Sequence, residues 1–190
     1  MIVNETDEQL YSRFLSGNED DALGILFERY HVPLTLFINR IVHNIDDSEE
    51  IMMDCFAIVI SRKSGFLGLN NSLFKTWLYA VAVKQASQFL RKHLRTDSVS
   101  FEDYEDTLKD PEVAETVTIK SETEKALYKA LDKLPVDYRT ALYLTYFEDM
   151  DAETVGQVMR KSRKQVYNLL SRGKAAAKDE LLKEGFEWDM

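Results

Sequence analysis

The sequence predicts an all-α protein made of two small helical domains joined by an acidic linker. Three observations support this. Apolar residues recur at helical spacing almost throughout. The 190 residues include only seven glycines and three prolines, few for a β-protein. From Thr96 to about Lys120, periodicity gives way to a stretch rich in Ser, Thr, Asp and Glu around Pro111, the composition of a linker. The domains are expected at 1–95 and 121–184, with the linker at 96–120 and a frayed tail at 185–190.

Each element has a local reason. Thr6 with Gln9 three residues on is a capping box. It opens a short helix through Leu10, Phe14 and Leu15 that Gly17 stops. Asn18 is placed to cap the second helix, with Glu19, Asp20 and Asp21 at the positive end of its dipole. Leu23, Leu26, Phe27, Tyr30, Leu34, Phe37, Ile38, Ile41 and Val42 form its apolar stripe, and Pro33 is expected to kink it. Asp47 and Glu50 open a third helix through Ile51, Met52, Phe56, Val59 and Ile60. A Gly/Asn/Ser-rich segment follows, then a fourth helix. Its apolar side holds Phe74, Leu78, Val81, Ala82, Phe89 and Leu90; Lys75, Lys84, Gln85, Gln88, Arg91, Lys92 and Arg95 largely share the other. Trp77 reads as core. Beyond the linker, Ser121 to Glu124 cap a helix through Leu127, Leu131 and Leu134. Pro135 starts another, with Ala141, Leu142, Tyr146 and Phe147 inward.

The stretch from Asp151 to Lys178 reads as two short helices around a tight turn. Val155, Val158 and Met159 give the first a narrow apolar stripe; after Arg160 and Lys161, Ser162 and Gln165 form a second capping box. Val166 and Leu170, with Leu169 beside them, are the apolar residues of the second helix. Arg163, Lys164, Tyr167, Asn168, Ser171 and Arg172 are left facing outward. This is the helix-turn-helix arrangement for a DNA major groove.

Charge distribution agrees, although the net charge of −9 at first argues against DNA. Ser61 to Arg95 holds seven Lys and Arg and no acid, and Met159 to Lys178 another seven and no acid. All 33 acidic residues lie outside these islands. Nucleic acid responds to the field within a Debye length of about 10 Å, not to whole-chain charge. The surplus acid favours a basic protein partner. The single cysteine, Cys55, and three scattered histidines offer no disulfide and no zinc spacing, so neither metal nor cofactor is expected. A cytoplasmic setting without membrane insertion is expected, since no apolar run approaches the roughly 20 residues of a membrane span. No phosphate loop or nucleophile–base pair points to an enzyme. A stand-alone helix-turn-helix regulator is the second class, but it leaves the first basic island unexplained.

In order, these parts resemble the bacterial sigma-70 family of RNA polymerase initiation factors, in the small extracytoplasmic-function (ECF) class that keeps only regions 2 and 4. The resemblance runs from Thr6 to Leu182. DDSEEIMMDCF looks like the region 2 helix that docks on the polymerase, and FKTWLYAVAVKQASQFLRKHLR like the helix that meets the −10 element. LDKLPVDYRTALYLTYFEDMDAETVGQVMRKSRKQVYNLLSRGKAAAK looks like region 4. The resemblance implies a region 2 four-helix domain and a region 4 helix-turn-helix domain. Core RNA polymerase, promoter DNA and an anti-sigma factor are the implied partners, and no catalysis is implied. By position, Arg163, Lys164, Gln165, Tyr167, Asn168, Ser171, Arg172 and Lys174 match the −35 reading helix. Ser64 to Ser72, including Asn70 and Asn71, match the loop that captures a flipped −10 base. Phe74, Lys75, Trp77, Lys84, Gln85, Gln88 and Arg91 flank that loop, and Glu49, Glu50, Met53, Asp54 and Phe56 match the polymerase-docking surface. The chain also departs from the pattern. Arg160 stands where the family usually has glycine, Lys161 where an apolar residue tucks under the turn, and Leu169 where many relatives carry arginine. A sigma-like regulator that binds polymerase without reading DNA is the alternative these departures raise.

Overall fold

The computed structural model describes residues 5–17, 21–61, 73–96 and 122–185. Among them are eight α-helices and no strand. They are α1 (Asp7–Leu15), α2 (Asp21–Val42), α3 (Ile45–Ile60), α4 (Phe74–Thr96), α5 (Glu122–Asp132), α6 (Val136–Tyr146), α7 (Ala152–Met159) and α8 (Arg163–Lys183). The chain divides into two compact units at Ser98/Val99. The linker, the Asn18 and Ser121 caps, Asn70, Asn71 and the tail beyond Gly185 lie outside the described residues.

In the N-terminal unit α1, α3 and α4 all pack on α2. Both reciprocal bonds of the Thr6–Gln9 box are present, and Gly17 takes a left-handed φ of 78° after α1. Leu26, Leu34, Phe37 and Ile38 of α2 are fully enclosed, each worth about 1.5–3 kcal/mol of transfer free energy. The helix continues through Pro33 as one element. The third helix starts earlier than expected. Asn44, not Asp47, is its cap, and the Asn44 side chain accepts the Asp47 N–H at 3.0 Å. Ile60, expected on the inner stripe, is exposed at the end of α3. Cys55 is fully buried; desolvation, and secondarily Asp54, push its thiol up to about 12.

A polar seam joins α1 to α2: Arg29 pairs with Asp7 at 2.6 Å, Arg13 with Asp21 at 2.9 Å, and the Tyr30 hydroxyl donates to Asp7, while Arg13 also holds Glu5, just ahead of α1, at 2.7 Å. Burial, then that hydrogen bond, raises the Tyr30 phenol far above its ordinary range.

In the C-terminal unit α6 packs against α7 and α8, and α5 lies along α8, with Ala126, Ala130 and Leu181 forming a small core. Lys133 binds Glu184 at 2.7 Å, an exposed pair of modest value. Ala141 and Leu142 point inward as expected, but Tyr146 and Phe147 do not. The inner face of α6 turns through Thr140, Ala141 and Leu144, which leaves Phe147 to stack on Tyr143 at 4.9 Å and Tyr146 under Lys174 at 5.0 Å.

Candidate nucleic-acid interface

Two short helices and a turn present the C-terminal basic surface. Asp151 caps α7 through the Thr154 N–H at 2.8 Å, a bond that also lowers the Asp151 carboxyl below its usual range. The helix ends at Arg160 with φ 53° and ψ 45°. The Lys161 N–H reaches the Gly156 carbonyl at 2.9 Å and the Arg160 N–H the Gln157 carbonyl at 3.4 Å. That pair is a Schellman motif, which favours glycine at the left-handed position. An arginine there costs about 1 kcal/mol. Arg160→Gly is therefore expected to stabilise the C-terminal unit by about 0.5–1 kcal/mol, read by chemical denaturation. No gain would mean the arginine side chain returns what its backbone loses.

Lys161 also finds a use. Half-buried, it binds Asp137 of α6 at 2.9 Å, tying the turn to the helix behind it. Its carbonyl lies 2.6 Å from where a Cβ on Gly156 would stand, so the turn folds directly over a glycine. After it, both bonds of the Ser162–Gln165 box are made. Val166, Leu170, Gly173, Ala177 and Leu181 form the buried face of α8. Gly173 allows close approach to α6: a Cβ there would stand 3.1 Å from the Leu142 side chain. With that face fixed, Arg163, Lys164, Gln165, Tyr167, Asn168, Ser171, Arg172 and Lys174 are all exposed. Arg163 lies over the Tyr167 ring at 5.5 Å and donates to its hydroxyl at 3.1 Å. That bond, with the nearby charges of Glu153 and Asp151, raises its pKa further. Gln165 reaches back as the box predicts: its Oε1 accepts from the Ser162 N–H at 2.8 Å, so bidentate pairing to adenine would require opening the cap.

In the N-terminal unit the second basic surface lies along α4. Lys84, Gln88 and Arg91 are exposed at spacings of four and three, with Gln85 half-buried beside them. Lys75 sits half-buried over the Tyr79 ring at 5.8 Å. On α3, Glu49, Glu50, Met53 and Asp54 are exposed together.

The Sigma-70 region 4 family model matches residues 124–176, within the C-terminal unit. The RNA polymerase sigma-H factor of Pseudomonas aeruginosa is 32% identical over 168 residues, covering 84% of this chain and 86% of that protein. The chain belongs to the sigma-70 family of RNA polymerase sigma factors. Within that family, the ECF sigma-E factor of Haemophilus influenzae is 27% identical over 84% of this sigma factor and 86% of its own length, which agrees with the ECF class. The fold is shared with the Bartonella quintana sigma factor RpoE solved in complex with the anti-sigma factor NepR. That likeness has a TM-score of 0.65 and 19% identity, covering 84% of this chain and 96% of that one. The two sequence relatives each cover 84% of the chain, more than either unit alone, so a stand-alone helix-turn-helix regulator is not favoured.

Two residues expected at the sigma factor's interfaces are core instead. Phe74 is 0% exposed, enclosed by Tyr11, Tyr30 and Trp77. Phe56 is 3% exposed and packs edge-on against Phe27. Neither ring can touch a partner while the domain is folded; both hold their helices in place. Trp77 divides its surface between Tyr11 and solvent. Sequence reasoning missed Arg139. Only 3% exposed, it donates to the Asp132 carbonyl at 2.5 Å and so satisfies the end of α5. Its place one turn into an amphipathic helix gave no signal of this.

Proposed function

We propose that this sigma factor binds core RNA polymerase, directs it to promoters through −35 and −10 elements, and catalyses no step itself. The observation that carries this is the exposed face of α8: eight polar and basic side chains turned outward from a helix whose apolar residues are seated in its own domain. Arg163, Lys164, Arg172 and Lys174 supply phosphate and guanine donors, and Asn168 suits adenine. In this reading residues 121–184 take the −35 element. Residues 1–95 take the −10 element through Lys84, Gln85, Gln88, Arg91 and the outer part of Trp77, along with the segment holding Asn70 and Asn71.

Polymerase docks on α3, where Glu49, Glu50 and Asp54 surround Met53, which is 54% exposed. Carboxylates around an exposed apolar side chain suit a basic partner surface with an apolar centre. An anti-sigma factor covering the same face would hold the protein inactive. The setting is the cytoplasm, consistent with the lack of any membrane-spanning helix among the described residues.

The test is transcript-start mapping with purified core polymerase and this protein. Starts that share two upstream elements support the reading; transcription no different from core alone sinks it. Reversing Glu50 and Asp54 to lysine should weaken polymerase association by at least tenfold, as like charges face each other at the rim. Wild-type association after the reversal would move the docking surface elsewhere.

A further inference from the structure

The first turn of α4 has no acid of its own and carries Lys75, a poor match for the positive end of a helix dipole. A carboxylate from α1 fills that place. Glu8 Oε1 accepts the Phe74 N–H at 2.9 Å, across 66 residues of chain. That amide is one of the first four in the helix, which have no intrahelical partner. The rings around it are shared between the same two helices. Tyr11 of α1 lies 5.2 Å from Phe74 and 5.9 Å from Trp77, and Phe74 and Trp77 are 5.7 Å apart. The base of α1 is itself anchored, since Asp7, beside Glu8, holds Arg29 and the Tyr30 hydroxyl of α2.

We propose that Glu8 is a positioning residue for −10 recognition, fixing the first turn of α4 through the Phe74 amide without itself touching DNA. This rests on the assignment of α4 to the −10 element made above. Without the carboxylate, the first turn loses its cap while Leu78, Tyr79, Ala82 and Ala86 keep the remainder of the helix seated. Trp77, one turn in and half-exposed, is then the side chain whose direction is least controlled. Selectivity for the −10 sequence falls before stability or polymerase binding does.

The test uses holoenzyme made from core polymerase and the full chain. Open-complex formation is measured on a mapped promoter and on the same promoter with its −10 element scrambled. Glu8→Ala should lower the ratio between the two by about tenfold, the worth of a charge-assisted hydrogen bond, with polymerase affinity unchanged. Glu8→Gln, which keeps an acceptor oxygen, should recover most of the ratio. If the alanine variant folds poorly, Glu8→Met, close in size and lacking the acceptor, replaces it in the comparison with Glu8→Gln. A wild-type ratio, or an equal loss on both promoters together with weaker polymerase binding, overturns the proposal. Lys84→Ala with Gln88→Ala separates the two levels. If that pair lowers the ratio and Glu8→Ala does not, the positioning role alone fails; if neither lowers it, the assignment of α4 fails with it.

Discussion

Replacing Arg163, Lys164 and Arg172 together by alanine is expected to weaken promoter binding by the holoenzyme on the order of a hundredfold. Each charge-assisted contact is worth about 1.5–3 kcal/mol, though neighbouring losses do not add in full. A second readout bears more directly on the mechanism. Each phosphate contact displaces condensed counterions, so its loss removes about 0.9 from the slope of log affinity against log salt, and three contacts up to roughly 2.7. Binding measured over a salt series would show the flattened slope. The fold should be indifferent, because all three side chains are exposed and the buried face of α8 is untouched. A weaker complex with the slope unchanged would mean that these side chains contact bases or hold the helix, not phosphate. An unchanged complex would remove α8 from the interface.

Gly156→Ala sets two effects of opposite sign against each other. Helix propensity alone favours alanine by about 1 kcal/mol, and Gly156 lies within α7. Sterics oppose it: the new Cβ would stand 2.6 Å from the Lys161 carbonyl oxygen, a backbone atom fixed by the turn. Relief requires the turn to open, which strains the Lys161–Gly156 hydrogen bond and shifts Lys161 away from Asp137. Overpacking of this kind costs about 1–3 kcal/mol, so once the propensity gain of about 1 kcal/mol is set against it the C-terminal unit should lose up to about 2 kcal/mol. Denaturant titration gives the sign, and a stabilised variant would show that the turn is looser than its geometry implies. DNA affinity should fall as well, since α8 leaves the turn at an angle the glycine permits.

Features decided within a few residues were legible in the sequence. Both capping boxes, Thr6–Gln9 and Ser162–Gln165, involve partners three residues apart, and both form as read. The outward set on α8 followed from Val166 and Leu170 alone, because one buried stripe determines the opposite face. The start of α3 carries two competing signals, Asn44 before the apolar Ile45 and the acidic pair Asp47 and Glu50 one turn on, and the side-chain cap forms at Asn44. At Phe74 and Phe56 helical spacing and family position disagree: both lie on the apolar stripes of their helices, while the resemblance puts them at interfaces, and their burial sides with the spacing. Glu8 and Arg139 are a different case: each acts on a backbone atom of a different helix, which spacing cannot reveal.

The sealed environment of Cys55 has a practical side. A thiol with no solvent access and a pKa near 12 yields almost no thiolate at neutral pH. Maleimide dyes will therefore pass over the natural protein. A cysteine introduced at Ala175 or Ala57, both on exposed helix faces, becomes the one reactive handle without any need to remove the native residue. Fluorophores at those two sites would report the engagement of each interface on an otherwise unaltered chain.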